Sequence, residues 1–281
     1  MTTSILPRTI NKRTPPCLHT LNFLTHHHAR PPYRSNPLHN TPPTTFTIPF
    51  NRIALLGYRS FVAVGNRATT ILLSSGQILL LNPIPVSPPV RERLDALGGV
   101  HFIAADFGHH LSVAEYVAAW PGAKTIGVRG LERKRSDVRW DWIYGGEEEL
   151  GERPEEVFRW EGEVGSVLFE GFITRAVAWL YRPSGTLVVS DLVMNLPARE
   201  QYTSSSAEQG PLSREFATRA HPGSIWFKRL IYWIATVDYA LMRRDVKRVA
   251  QWDFQRIIPC HGEVITETGK EAWVETHRWF L

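Results

Sequence analysis

Three apolar segments of this sequence each end in side chains that could bind a metal ion. The segment HFIAA is followed by Asp106, His109 and His110, the segment TLVVS by Asp191, and the segment RIIPC by His261. Imidazole and carboxylate groups are common ligands of zinc, iron and manganese. Two histidines with one or two aspartates can hold a single ion and leave one coordination position open, where water is activated near neutral pH. These residue types therefore predict metal-dependent hydrolytic chemistry.

The position of these residues depends on the elements that carry them. Each of the three segments is a short apolar run next to polar or turn-forming residues and is predicted to be a β-strand. In layered α/β folds, ligands bind beyond the carboxyl ends of strands, where loops from several strands converge. If the three strands are neighbours, all five side chains surround one pocket.

The adjacent pair His109 and His110 needs a special backbone. On a regular helix or strand, neighbouring side chains diverge, so both can reach one ion only from an irregular turn. Gly108 and a helix cap at Ser112, with Glu115 completing a capping box, place them in such a turn. The alternative is that one histidine caps or packs while the other is solvated.

Asp191 and His261 have different alternatives. Asp191 follows a short apolar strand and could serve only to cap the next turn. His261 is the strongest candidate ligand, because a His-Gly pair directly after a buried strand has little packing purpose.

The first 48 residues or so are rich in Pro, Thr, Asn, His and Arg without an apolar period, which predicts a disordered tail. The run His26–His28 is interpreted as an accident of composition. An acid-free, Arg-bearing start resembles a mitochondrial presequence, but Pro7, Pro15 and Pro16 interrupt the helix that such a signal needs. We therefore expect a cytoplasmic protein, with a mitochondrial location as the alternative. The different contexts of Cys17 and Cys260 argue against a disulfide framework.

The net charge of +5 is an N-terminal property. No Asp or Glu precedes Glu92, whereas the first 91 residues carry nine Lys and Arg. The sequence contains no basic stripe with interleaved aromatic residues, so we do not predict nucleic-acid binding.

Residues 49–281 are predicted to form one domain with a helical insert at about residues 198–254. Ile225–Met242 is the most apolar helical run, but Lys228, Arg229 and Asp238 exclude a transmembrane span. We expect this run to pack on a sheet, with an interfacial membrane helix as the alternative. The ligand or substrate is expected to be a small molecule.

Longer phrases of the sequence resemble the metallo-β-lactamase superfamily, and in particular a branch of it that is frequent in fungi. The phrases are NRATTILLSSGQILLLNPIPV, VHFIAADFGHHLSVAEYVAAWPGAKTIGVRGLERKR, SGTLVVSDLVMNLPA and QWDFQRIIPCHGEVI. The resemblance covers about residues 50–281. It implies an αββα sandwich, in which two mixed sheets carry helices on their outer faces.

The resemblance also implies a metal site, with departures. Asp191 falls at the position of the superfamily's strand-ending aspartate that bridges two metals, and His261 at its final histidine. The superfamily's turn Thr-His-x-His-x-Asp-His is reduced here to Asp106, His109 and His110. A further histidine is missing from LFEGFITRAVAWLY, where Glu170 or Thr174 could replace it. The resemblance therefore implies a reduced, mononuclear site for zinc, or for iron or manganese.

Two functions follow from these features. One is a metal-dependent hydrolase of esters, thioesters or lactones, in which Asp106 and His110 manage protons. The other is a non-catalytic scaffold that binds a ligand or partner, with exposed aromatic residues of the insert as the binding surface: Trp226, Tyr232, Trp233 and Tyr239.

Two groups of residues near the expected pocket remain open to interpretation. The run Arg129, Arg133, Lys134 and Arg135 either steers an anionic substrate or, as we favour, forms a solvated face. Arg199 and Tyr202 are candidate pocket walls from their position alone.

Overall fold

The computed structural model describes residues 42–48, 62, 64–145, 153–202 and 211–281. The predicted disordered tail up to residue 41 lies outside the described residues, as does the run His26–His28.

The first sheet has six strands in the order of the sequence. Its strands are β1 Thr44–Ile48, β2 Asn66–Leu72, β3 Ile78–Leu81, β4 Phe102–Ala104, β5 Lys124–Val128 and β6 Trp142–Tyr144. The β1–β2 and β2–β3 pairs are antiparallel, and the pairs from β3 to β6 are parallel. The sheet is therefore mixed, as expected, and a turn at Ser74–Gly76 joins β2 to β3.

Strand β1 corrects the predicted boundary of the domain. Thr44–Ile48 lies within the segment expected to be disordered, yet it pairs with β2 in the register Thr44 opposite Thr70. The run TTFTI is rich in β-branched and aromatic residues, which favour a strand when a partner strand is present. Ordered structure thus begins before residue 49.

The second sheet has four strands in the order β10-β9-β8-β7. Its strands are β7 Val164–Leu168, β8 Val177–Tyr181, β9 Thr186–Val189 and β10 Arg256–Pro259. Only the β9–β10 pair is parallel among these. Along β8, Val177, Trp179 and Tyr181 join the core with the first sheet, whereas Ala178 and Leu180 join a second core. This alternation places a packed layer on each face of the sheet.

Helices cover the two sheets. The chain's described helices are α1 Pro88–Ala96, α2 Val113–Ala119, α3 Leu131–Lys134, α4 Pro154–Val157, α5 Arg199–Tyr202, α6 Pro211–Ala217, α7 Ile225–Arg229, α8 Tyr239–Ala250 and α9 Gly269–Thr276. Leu94 of α1 and Tyr116 of α2 pack in the core of the first sheet, while Val246 of α8 and Trp273 of α9 pack in the second core. The predicted αββα sandwich is confirmed.

The insert is helical where it is described, but it is not one regular helix. Helix α7 continues into a π-helical segment, Leu230–Ala235, before α8 begins at Tyr239. Within the described residues, none of the helices has the length and apolar composition that crossing a bilayer requires.

The predicted capping box at the start of α2 is wrong. The Ser112 side chain makes no cap hydrogen bond. The Glu115 carboxylate instead accepts the backbone N–H of Val86 at 2.9 Å, which ties α2 to the loop after β3.

Candidate metal centre

The strands that carry the candidate ligands do meet. Strands β9 and β10 are parallel neighbours, so Asp191 and His261 follow strand ends at the same edge of the second sheet. The Cys260 backbone N–H donates to the Val189 carbonyl at 2.9 Å, which continues this pairing to the site. The turn after β4 brings His109 to the same place.

Three potential ligand atoms converge there. The Nε2 atoms of His109 and His261 lie 3.3 Å apart. The Asp191 Oδ1 atom is 3.2 Å from Nε2 of His261 and 4.0 Å from Nε2 of His109. Both histidines are buried, and only 18% of the Asp191 side chain is exposed. Asp191 is therefore the member of the group that reaches solvent.

The other nitrogen of each histidine is held by an acceptor. Nδ1 of His109 lies 3.0 Å from Oδ1 of Asp106, and Nδ1 of His261 lies 2.7 Å from the Gly65 carbonyl oxygen. A carboxylate and a carbonyl accept hydrogen bonds, so both Nδ1 atoms carry the proton. In the neutral rings, both Nε2 lone pairs then point towards the Asp191 carboxylate. Metal-binding histidines are commonly oriented by such a second hydrogen bond, so this donor set fits a metal ion.

Asp106 acts on the site through His109. Its Oδ1 accepts the backbone N–H groups of Gly108 at 2.8 Å and His109 at 2.9 Å, and its Oδ2 accepts the Ser190 hydroxyl. These bonds use both carboxylate oxygens. Asp106, predicted from the sequence as a proton-handling residue, is thus placed as a support for the imidazole of His109.

The electrostatic field of the centre favours positive charge. Burial lowers the pKa of His109, but Cys260, Asp106 and Asp191 outweigh burial and raise it well above its ordinary value. Burial raises the pKa of Asp191, but His109 and His261 outweigh burial and lower it to about 2. A field that retains protons on buried imidazoles also attracts a metal cation, which competes for the same lone pairs.

Cys260 is a potential donor that sequence reasoning considered only for disulfide bonding. Its sulfur and ring nitrogens of His109 and His261 all lie within 4.8 Å of one another. The thiol donates to Oδ1 of Asn66 at 2.6 Å, and its sulfur also lies 3.3 Å from the Arg67 carbonyl oxygen. The neighbouring position of Cys260 and His261 at a strand end was the available sequence signal. The thiol therefore points to strand β2, which contains both Asn66 and Arg67.

Helix α5 braces the two loops that hold His261. The Gln201 side chain donates to the Cys260 carbonyl at 2.9 Å and accepts the Gly262 backbone N–H at 3.0 Å. The Tyr202 hydroxyl accepts the Gly65 backbone N–H at 3.3 Å. Tyr202, a candidate pocket wall from the sequence, therefore supports the peptide that orients His261.

Two arginines connect α5 to the strands. Arg67 is fully buried and donates to the Pro259 carbonyl at 2.9 Å and to Glu200 at 2.7 Å. Arg199, the other candidate pocket wall, is exposed and lies 3.8 Å from Glu263. Neither contact is with the ligand atoms.

His110 is separated from the ligand cluster. Its Nδ1 lies 3.3 Å from Nη1 of Arg135, which also donates to the carbonyls of His110 and Leu111. Burial, together with Lys134 and Arg135, lowers the pKa of His110 to about 4. Among the described residues, no hydrogen bond or ion pair joins His110 to the other candidate ligands. Of the two adjacent histidines, the structure brings only His109 together with His261.

The two candidates for the missing histidine lie in different surroundings. Glu170 forms an ion pair with Arg129 at 3.2 Å. Thr174 lies against Asp191: a Cβ atom at Gly108 would be 3.0 Å from Oδ2 of Asp191 and 3.5 Å from Cγ2 of Thr174. Of the two, only Thr174 is placed beside the cluster.

The predicted basic run is occupied by local contacts. Arg129 pairs with Glu170, as described above. Arg133 lies 3.8 Å from Glu132, and Arg135 lies 2.7 Å from Asp137. Lys134 donates to the Phe107 carbonyl at 3.2 Å. Charges already paired at the surface agree with a solvated face and give little support to substrate steering.

Comparison with solved structures identifies the class of fold. The Flv1 flavodiiron core from Synechocystis sp. PCC6803 matches 85% of this chain with 58% of its own, at a TM-score of 0.57 and 14% identity. The flavodiiron protein from Giardia intestinalis matches 83% of this chain with 56% of its own, at a TM-score of 0.54 and 11% identity. A metallo-β-lactamase from Hirschia baltica matches 84% of this chain with 91% of its own, at a TM-score of 0.49 and 12% identity.

The αββα architecture, which the sequence resemblance implied, is the fold that this chain shares with the two flavodiiron proteins. The chain spans little more than half of the two flavodiiron chains. No protein-family model matches the sequence, and no curated protein does. Within the described residues, this fold holds a buried pair of histidines, His109 and His261, at the edge of the second sheet.

Proposed function

We propose that this protein is a metal-dependent hydrolase with a mononuclear site formed by His109, Asp191 and His261. The observation that carries the proposal is the convergence of two imidazole Nε2 atoms and one carboxylate oxygen within 4.0 Å. Zinc is the preferred ion, with iron or manganese as alternatives, because these metals accept imidazole and carboxylate ligands. A bound ion would supply Lewis acidity at this point.

The chain's own residues prepare the ligands. Asp106 holds the proton on Nδ1 of His109, and the Gly65 carbonyl holds the proton on Nδ1 of His261. Both Nε2 atoms are thereby kept available. Asp191 is anionic at neutral pH because its pKa is about 2. Its partly exposed carboxylate is the part of the site that solvent or a substrate contacts.

The substrate class proposed is an ester, thioester or lactone. A carbonyl compound is suited to a site that combines a Lewis acid with a partly exposed carboxylate. The alternative is a scaffold that binds a ligand without catalysis, and the small number of converging ligands favours it.

The test is hydrolysis of a panel of short-chain aryl esters, thioesters and lactones by the full chain. Activity that is removed by a chelator, restored by zinc, iron or manganese, and absent from His261→Ala supports the hydrolase. Metal binding without hydrolysis of any panel member, or hydrolysis unaffected by chelation and by His261→Ala, contradicts it and favours the binding scaffold or another activity.

A further inference from the structure

The helical segment that begins at Ile225 has an exposed face composed almost entirely of apolar residues. Its exposed positions recur every four residues: Ile225 and Trp226, then Arg229, then Trp233 and Ile234, then Val237. Trp233, Ile234 and Val237 are 68%, 61% and 63% exposed. This spacing places the side chains up to Ile234 along one side of the helix, and Val237 follows directly after the helical segment ends at Ala235.

The opposite side of the same segment is buried in the protein. Phe227, Ile231 and Ala235 pack in the core between the second sheet and its helices. A helix on the surface of a globular protein normally pairs one apolar stripe with a polar outer face. Here both sides are apolar, which is unusual for an outer face that meets water.

The exposed face extends beyond the helix. Ile173 is 59% exposed, and its backbone N–H donates to the Ala235 carbonyl at 2.8 Å. Tyr232 makes edge-to-face contacts with both Trp233 and Trp279, with ring centroids 4.9 Å and 5.4 Å apart. We call the set Ile173, Ile225, Trp226, Trp233, Ile234 and Val237 the aromatic face.

Cations border the aromatic face. The guanidinium groups of Arg219 and Arg229 lie 5.3 Å and 5.1 Å from the ring centre of Trp226. Residues 211–250 contain eight Lys and Arg and only three Asp and Glu, although the rest of the chain after Glu92 is acidic on balance. Helix α8 adds four exposed basic residues, of which Arg244 and Arg248 pair with Asp245, whereas no ion pair is formed by Arg243 and Lys247 within the described residues.

We propose that the aromatic face docks on the surface of an anionic lipid bilayer. Tryptophan with flanking arginine is the composition that binds the membrane interface, where the ring enters the headgroup region and the cation meets phosphate. The basic border supplies the attraction to anionic lipids. The combination of large exposed apolar side chains with cations favours a lipid surface over an acidic protein, which would need matched pockets for both tryptophans.

Docking would bring the metal centre close to the membrane. Ile173 of the aromatic face precedes Thr174, whose side chain lies against Asp191. The docking proposal does not depend on the hydrolase proposal, because it is carried by the helix face and its charges.

The test is co-sedimentation of the full chain with vesicles of phosphatidylcholine alone and of phosphatidylcholine mixed with phosphatidylserine. We expect binding mainly to the anionic vesicles. The double variant Trp226→Ser/Trp233→Ser should bind at least about tenfold more weakly, since each buried large apolar side chain contributes that order of affinity. The matched control Leu212→Ser removes an exposed apolar residue of α6 outside the face and should bind as the wild type does.

A second measurement avoids dependence on the folding of the double variant. Vesicles containing brominated lipid should quench tryptophan fluorescence of the wild type, and the single variant Trp233→Ser should be quenched less. Absence of binding and quenching, or equal binding by the wild type and the variants, overturns the proposal. A wild-type dimer in sedimentation velocity that Trp233→Ser dissociates would assign the face to a second copy and also overturn it.

Discussion

His109 and His261 are 152 residues apart in the sequence, yet their Nε2 atoms lie 3.3 Å from each other in the interior of the protein. Each ring has its opposite nitrogen fixed by an acceptor from a different part of the chain. Two lone pairs facing each other repel unless a proton or a cation lies between them. This relationship is the reason for placing a metal ion at the edge of the second sheet.

The role of Asp106 can be separated from that of a direct ligand. In Asp106→Asn, the amide is neutral and no longer increases the basicity of His109 as a carboxylate does. We expect metal affinity to fall roughly 10- to 100-fold, the usual effect of removing an outer hydrogen-bond partner of a ligand. Competition with a chromophoric chelator measures this affinity, and Asp191→Asn, which alters a proposed ligand, should have a larger effect. Unchanged affinity in Asp106→Asn would show that Asp106 does not support the site.

The loop after His261 depends on a glycine. Gly262 has φ +94°, and a Cβ atom there would lie 2.1 Å from the Asn195 carbonyl oxygen. We expect Gly262→Ala to lower the free energy of unfolding by about 3 kcal/mol or more, because backbone strain and a backbone clash add together. Chemical denaturation measures the loss.

Gly98→Ala is the control for that substitution. Gly98 has φ +101° but open space around a Cβ atom, so its variant experiences backbone strain alone. A loss in Gly98→Ala as large as that in Gly262→Ala would contradict the argument from the Asn195 contact.

His277 makes stability depend on pH. Burial lowers its pKa to about 3, so the folded protein keeps the ring neutral while the unfolded chain binds a proton below about pH 6.5. The contribution of the neutral His277 ring to the free energy of unfolding is therefore fully present above about pH 6.5. It falls as the pH is lowered towards 3, by up to about 1.4 kcal/mol per pH unit. Denaturation at about pH 7.5 and about pH 5.5 should show a smaller loss in His277→Leu than in the wild type. Equal losses in the two proteins would contradict the assignment.

Local patterns were sufficient for most of the fold. Pro88 and Pro89 after Ser87 are a local signal for the start of α1, and the turn residues Ser74–Gly76 are one for the β2–β3 hairpin. The strand-ending positions of Asp191 and His261 indicated their meeting, because parallel neighbours end at one edge.

The remaining features depend on contacts between distant parts of the chain. The contact of Gly65 with His261 spans 196 residues, and the bond from Gln201 to Cys260 spans 59, so no local pattern predicts either. The direction of His110 was also not predictable, because it follows from Arg135, 25 residues away.

The most direct test of the proposed metal site is the metal content of the purified full chain, measured by elemental analysis. His26–His28 should be replaced by alanine in every sample, so that this run cannot bind metal on its own. We expect about one zinc, iron or manganese ion per chain, lost in His261→Ala and in His109→Ala but retained in the neighbouring controls His110→Ala and Cys260→Ser. A chain without metal, or one that keeps its metal in His261→Ala, would show that these residues do not form a metal site.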